Sequence, residues 1–410
     1  MVQGLRDELT ESIRLRLRAD VPIGIYLSGG IDSSLVAGIV THLVRDEGIK
    51  IGSKDATSRI SCFTIQFPKE SGFDESENFA DCTYHCEHHH FDLNCVGKFA
   101  LSTLPNANGV KVVLTGEGAD EHFAGYAFFP PDLLREPDLS MPDSPLVADS
   151  QLREHMQRST ERDIKMLIPR AGAFEHGWEA TPGIQMVNNT ILPPCILAWH
   201  PNLDLFAPWV REDKRWANLD CKEVIVKSFK PSILQKMQRK WHPLHTAQYI
   251  YSKGPLPNIL LSCLGDLTEM SHSVEARTPF LDHKLTGYVN NLPPSLKMAY
   301  TPDKIPPERH QGPWWEGIGV ASQALTEKWI LREAAKPFIL KELYERQKHP
   351  FTAPIKWSRG GPLHDMLQNT LTRERVENLG FVDYKIVEDA LDRGSGEKAD
   401  VKAFRILHRE

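Results

Sequence analysis

The chain has 410 residues, of which 41% are apolar and 25% charged, and this ordinary balance excludes a fibrous repeat and a disordered polymer. A formal net charge of −6 excludes a nucleic-acid-binding surface over much of the molecule, while leaving room for a local basic cleft that takes a small anion. No apolar run reaches membrane-spanning length and the seven scattered cysteines do not form a secreted disulfide framework, so a reduced, cytoplasmic protein without membrane or nucleic-acid partners is expected.

Leu5, Leu9, Ile13 and Leu17 fall four apart on a charged background, the apolar stripe of an amphipathic helix that Val21-Pro22 ends. Ile23 to Leu27 is short and apolar, turns at Ser28-Gly29-Gly30 and runs into a helical pattern through Ser34 to Val40. In this strand–turn–helix, Gly29 and Gly30 let the backbone approach a phosphate, and Ser28 and Ser33 add hydroxyl donors. The helix behind them points its positive end at the anion. No Gly-Lys-Ser/Thr follows, so this is not a Walker loop. Asp32 would repel phosphates unless a cation intervened, which suggests a magnesium ion bridging carboxylate and pyrophosphate; the alternative is an ordinary helix cap.

Ile60 to Phe67 has the β-branched and aromatic content of a buried strand, followed by an acidic helix candidate from Asp74 to His85. Cys82, Cys86 and the run His88 to His90 are metal-ligand residue types. Their placement on a sheet-packing helix and its exit favours ordinary packing over zinc. Val110 to Leu114 is a third buried strand, and it leads into Thr115-Gly116-Glu117-Gly118-Ala119-Asp120-Glu121. Three carboxylates within five residues at a strand end repel one another, so a bound cation or a reacting cationic group is the economical reading, and a solvated acidic loop the bland one. Asp120 would complete the metal site with Asp32, and Glu117 would face the reacting centre. Strands alternating with helices predict an α/β fold with a parallel sheet, whose ligands bind outside the carboxyl ends of the strands.

Five prolines between Phe129 and Val147 predict a loop or joint, and helical patterns dominate beyond it. Thr326 to Tyr344 consists mostly of helix formers, with Pro337 expected to kink or split the helix. The expected organisation is a nucleotide-binding core over 1–128, a Pro-rich joint over 129–147, a mainly helical region over 148–357 that completes the site, and a helical or polar tail over 358–410.

Together the two glycine loops resemble the PP-loop ATP pyrophosphatases, and the second narrows the resemblance to the asparagine synthetase family. Two later segments extend it: Met270 to His283, reading MSHSVEARTPFLDH, and Arg346-Gln347-Lys348 with Pro350, Phe351 and Pro354. The resemblance implies a PP-loop core with a largely helical C-terminal part. It further implies that ATP adenylates a carboxylate, by default aspartate, that pyrophosphate leaves, and that ammonia attacks the acyl-adenylate. Ser28, Gly29, Gly30, Asp32 and Ser33 would then hold pyrophosphate, while Leu27, Ile65, Thr115 and Gly116 contact the adenosine part. Asp32 and Asp120 would bind Mg2+, Glu117 would act in forming or consuming the adenylate, and Lys348 would contact phosphate in the transition state. Glu275 and Arg277 are expected to form a buried charge pair that anchors a loop.

Two features depart from the family pattern. Val2 stands where full-length relatives carry the cysteine nucleophile of a glutaminase, so ammonia is expected to be free or delivered by a separate glutaminase subunit. Only a short stretch, Cys95 to Asn108, stands where the family has a further helix and connecting segment lining the acceptor pocket. A cyclising ligase of β-lactam-synthetase kind and a catalytically inactive nucleotide-binding subunit are the alternative readings.

Overall fold

The computed structural model describes residues 1–53, 59–65, 76–87, 93–170, 187–188, 190, 203–215, 221–309, 312–346, 348, 357–396 and 398–407. The run His88 to His90, the start of the acidic helix at Asp74, and Pro350, Phe351 and Pro354 lie outside them.

Helix α1 (Val2–Arg16) buries Leu5, Leu9 and Ile13 completely, and Leu17 caps its end at 2% exposure. The stripe packs against α2 (Ile31–Glu47) and the helices Trp329–Ala335 and His283–Asn290, in one core cluster with Leu35, Ile39, Ile330 and Leu285. Four short strands, β1 (Ile23–Tyr26), β2 (Ser61–Phe63), β3 (Val112–Leu114) and β4 (Glu275–Arg277), form a sheet of order β2-β1-β3-β4. All pairings are parallel, with Ile25 opposite both Cys62 and Leu114, and Val113 opposite Ala276. β1 and β3 are buried along their whole length, as parallel strands covered on both faces must be. The α/β parallel-sheet expectation therefore holds. From adjacent central strands the chain departs in opposite directions, β1 toward β2 and β3 toward β4. That reversal leaves a crevice at the carboxyl edge, where both glycine loops emerge.

Several local expectations need correction. The stretch after His90 contains α4 (Asn94–Ala107), a helix that packs against α3 (Ser76–Cys86), so a helix does occupy this place. Between Phe129 and Val147 the chain is not merely a joint. Helix α6 (Pro130–Leu134), which follows α5 (Ala119–His122), buries all five of its residues, and Phe129, Leu133 and Leu134 belong to a core cluster with Leu244, Met298 and Val320. Thr326 lies in a strand, β6 (Leu325–Glu327), paired antiparallel with β5 (Met298–Tyr300). The helix begins only at Trp329 and ends at Ala335, just before Pro337. Glu275 is exposed, so its 2.7 Å bond from Arg277 Nε is not a buried pair. Arg277 instead donates Nη1 to the carbonyls of Arg16 and Arg18, fixing the chain that leaves α1 to the sheet edge.

The C-terminal segments Pro362–Thr370, Tyr384–Arg393 and Val401–Leu407 are helices that share a core with α3 and α4 through Leu363, Leu367, Val387, Phe404 and Val96. Among the described residues no helix is long and apolar enough to cross a membrane.

Candidate active site at the carboxyl edge of the sheet

The first loop is held open by its own side chains. Gly29 adopts φ +75°, a conformation that favours glycine, and Gly30 is the N-terminal cap of α2 without a side chain of its own. Ser28 Oγ lies 3.0 Å from Ser33 Oγ and accepts from Gly30 N at 3.3 Å, while Ser33 Oγ accepts from Ser28 N at 3.2 Å. The turn is thereby fixed before any ligand arrives. Arg346 Nη1 donates to the Gly29 carbonyl at 3.0 Å, bringing a third positive group to the mouth beside the two lysines described next.

Asp32, in the first turn of α2, and Asp120, in α5, converge on one ammonium group. Lys328 Nζ lies 2.6 Å from Asp32 Oδ2 and 2.6 Å from Asp120 Oδ1, and Lys348 Nζ pairs with Asp120 Oδ2. Lys328 is 1% exposed and adopts φ 53°, a left-handed conformation rare for a lysine, between β6 and the helix at Trp329. Gly125 makes the convergence sterically possible, since a Cβ there would sit 2.1 Å from both Asp120 Oδ1 and Lys328 Cε. Lys348 also lies 5.4 Å from the Tyr126 ring centroid.

The electrostatics of this cluster are set by burial and then by the charges inside it. Burial opposes the charged form of Lys328, but Asp120 and Asp32 outweigh it and hold the ammonium above the ordinary lysine range. Burial would likewise raise Asp120, but Lys328 and Lys348 together bring it below its ordinary value. Asp32 is raised, by burial first, with Lys328 opposing and Asp120 adding to the shift. Asp32 Oδ1 is buried with no hydrogen-bond partner among the described residues, as is Thr115 Oγ1. Asp32 lies just past the loop that leaves the carboxyl end of β1, and Thr115 begins the loop that leaves the carboxyl end of β3.

Glu117 lies on the other side of the second loop. Its carboxylate is half-exposed and 3.7 Å from Lys98 Nζ, which also lies 3.1 Å from the buried Glu269 Oε1 and 4.9 Å from the Tyr26 ring centroid. Burial disfavours the charge on Lys98, yet Glu269 and Glu117 raise its pKa. Leu27 is partly buried and donates its N–H to Phe63 O at 2.9 Å; Ile65 packs on the sheet cluster of Tyr26, Phe63 and Val113. Thr115 N donates to Arg277 O at 2.9 Å, and Gly116 passes directly over Asp32.

The structure thus brings Ser28, Gly29, Gly30, Asp32, Ser33, Thr115, Gly116, Glu117, Asp120 and Lys348 to one crevice edge, with Leu27 and Ile65 at the strand ends beside it. Sequence reasoning missed Lys328 and Lys98. Lys328 stood inside an apparent helix and had no signal of its own. Lys98 lay in the segment read as too short, where a helical phase relation to Cys95 and Ser102 was the available clue.

Comparison with known proteins agrees with this arrangement. A family model described as asparagine synthase matches residues 4–107 and 76–406. Amidase chyE of Penicillium rubens is 38% identical over 422 residues, covering 96% of this chain and 58% of that protein. Amidase chry2 of Gibberella zeae is 36% identical over 435 residues, covering 99% of this chain and 60% of that protein. The glutamine-hydrolysing asparagine synthetase 1 of Bacillus subtilis is 24% identical over 431 residues, covering 98% and 57% respectively. The chain spans about three-fifths of the length of these relatives. With the family match running through nearly all of it, the chain belongs to the asparagine synthase family.

Proposed function

We propose that this chain is an ATP-dependent amide-forming ligase. A carboxylate attacks the α-phosphate of ATP, pyrophosphate leaves, and ammonia then displaces AMP from the acyl-adenylate to form the amide. The observation that carries this reading is the grip of Asp32 and Asp120 on a single cation beside the serine–glycine loop. Carboxylates from two separate strand ends share a charge there only because the fold makes a place for one. Magnesium fits the same donor set, since it takes carboxylate oxygens and phosphate together and Asp32 Oδ1 has an unused lone pair. When bound it would neutralise phosphate charge and act as a Lewis acid.

The residues of the chain supply the rest. The loop amides and the hydroxyls of Ser28 and Ser33 hold the pyrophosphate, and Leu27, Ile65, Thr115 and Gly116 border the adenosine. Lys328 and Lys348, held by the aspartates without ligand, are preorganised cations for charge developing on the phosphates. Glu117 faces the acyl carbon, with Lys98 setting its orientation. The intact set argues against an inactive nucleotide-binding subunit.

Aspartate is the default acceptor for the family, but relatives named amidases at 38% and 36% identity, against 24% for an asparagine synthetase, favour a different acid. The test is exchange of labelled pyrophosphate into ATP over a panel of carboxylic acids. Exchange dependent on one acid, abolished by Glu117→Ala while ATP binding persists, supports the reading; exchange with no acid, or full activity in Glu117→Ala, defeats it.

A further inference from the structure

Behind the acceptor side of the crevice lies a group of thiols that the amide-forming chemistry does not use. Cys82 and Cys86 are four residues apart on α3, so they share one face a helical turn apart. Cys95 enters from the first turn of α4, and the sulfur atoms of all three lie within 4.8 Å of one another. All three are completely buried, in a core with Leu93, Val96, Phe99 and Leu363.

Buried cysteines commonly act as small apolar side chains, and such residues have no reason to point their sulfurs at one another. These do. Cys82 Sγ and Cys86 Sγ stand 3.7 Å apart, too far for a disulfide and matching the edge of a thiolate tetrahedron, about 3.8 Å when each sulfur is about 2.3 Å from zinc. The spacing Cys-x3-Cys within one helix also falls in the range that structural zinc sites use. Cys263, on the turn Ser262–Asp266, belongs to the same buried cluster, and its carbonyl accepts from Cys86 Sγ at 3.5 Å.

We propose that Cys82, Cys86 and Cys95 form a structural site for a zinc-class ion, supplying three thiolate ligands. Each of the three thiols gives up its proton to solvent on binding, so that one Zn2+ and three thiolates leave a site of net charge −1 and release three protons. No oxidant or reductant is involved. The site ties α3 to α4. Because Lys98 lies one turn beyond Cys95, a clamp here fixes the Lys98–Glu269–Glu117 group from behind. The proposal concerns metal content and holds whatever acid the crevice accepts.

The test begins with the unmodified chain, purified without chelator from cells grown with zinc, and its metal counted by elemental analysis. About one zinc per chain is expected, surviving dialysis. Growth with cobalt should give the thiolate-to-metal charge-transfer absorption and strong visible bands of a tetrahedral sulfur site. Cys95→Ala and Cys82→Ala should lose the metal, while Cys62→Ala, at an exposed position, should keep it. If the alanine variants fail to fold, the count and cobalt spectrum of the parent decide the matter alone. A parent chain with well under one metal, no cobalt spectrum, or a Cys82–Cys95 disulfide in its place overturns the proposal, as does a folded Cys95→Ala variant with undiminished zinc.

Discussion

Lys328 holds two aspartates together, and the cost of removing it follows from what it leaves behind. Lys328→Met keeps much of the apolar stem but abandons two buried carboxylates facing one another, with only Lys348 to balance Asp120. Breaking a buried ion pair by deleting one partner costs roughly 3–5 kcal/mol, since the surviving charge has lost its compensation. The variant should therefore unfold at distinctly lower urea, and Asp32→Asn in the same chain should recover much of the loss. Pyrophosphate exchange should fall by roughly a hundredfold or more in the single variant and stay low in the double, because a preorganised cation cannot be replaced by removing a charge. Recovery of exchange in the double variant would mean that Lys328 serves stability alone. Asp32, Asp120 and Glu117 were legible in the sequence because carboxylates crowded beside glycine turns at strand ends conflict with their charged neighbours or with a phosphate unless a cation intervenes. A lone lysine amid helix formers conflicts with none, so the residue that joins those acids could be found only in three dimensions.

The helices and strands differ in how much of their reason lies nearby. In α1 the determinant is local: four apolar residues at helical spacing, three of them with no exposed surface. Leu9→Ala should cost roughly 2–5 kcal/mol in chemical denaturation, the transfer term plus the cavity left against α2 and the helix at Trp329. Exchange per folded molecule should be unchanged, because α1 contributes no side chain to the crevice; a fall in exchange beyond the folded fraction would show that α1 positions the loops. By contrast β4 is Glu275-Ala276-Arg277, with no apolar alternation, and becomes a strand only because β3 offers a partner and Arg277 bonds the end of α1. β6 is Leu325-Thr326-Glu327, whose helix formers are overridden by pairing with β5. Strands whose identity comes from a neighbour distant in sequence carry no periodic mark. The buried prolines of α6 misled for a related reason: proline is accommodated at the first turn of a helix, where its missing N–H costs nothing, so a proline-rich stretch was a helix start.

Across the molecule, a group of buried titratable residues beside α5 should set its response to pH. His122 is lowered by burial to about 4, and His245 by burial and then by Lys297 to about 3. Glu121 is raised to about 8, by burial and then by Asp120, and Lys297 is lowered to about 7 by burial. They are linked: Gln248 donates to the Glu121 carbonyl at 2.7 Å and accepts from Lys297 Nζ at 3.0 Å. As pH falls through about 6.5, the unfolded chain takes a proton on each histidine while the folded chain refuses, so stability is lost down to about 4. Glu121 works in the opposite sense, because the folded chain takes its proton at about 8 and the unfolded chain only near 4.5, so this contribution grows as pH falls. Within this group the two histidines outweigh the one glutamate, so its contribution to stability declines as pH falls between about 6.5 and 4.5. His122→Gln, which retains an amide able to reach Asn290, removes one of the two opposing protons. In that window the variant's stability should fall less steeply than the parent's, gaining about 2–3 kcal/mol relative to the parent between pH 7 and pH 4.5. Urea midpoints of both chains at those two pH values measure it directly, and parallel declines would show that His122 titrates normally in the folded protein.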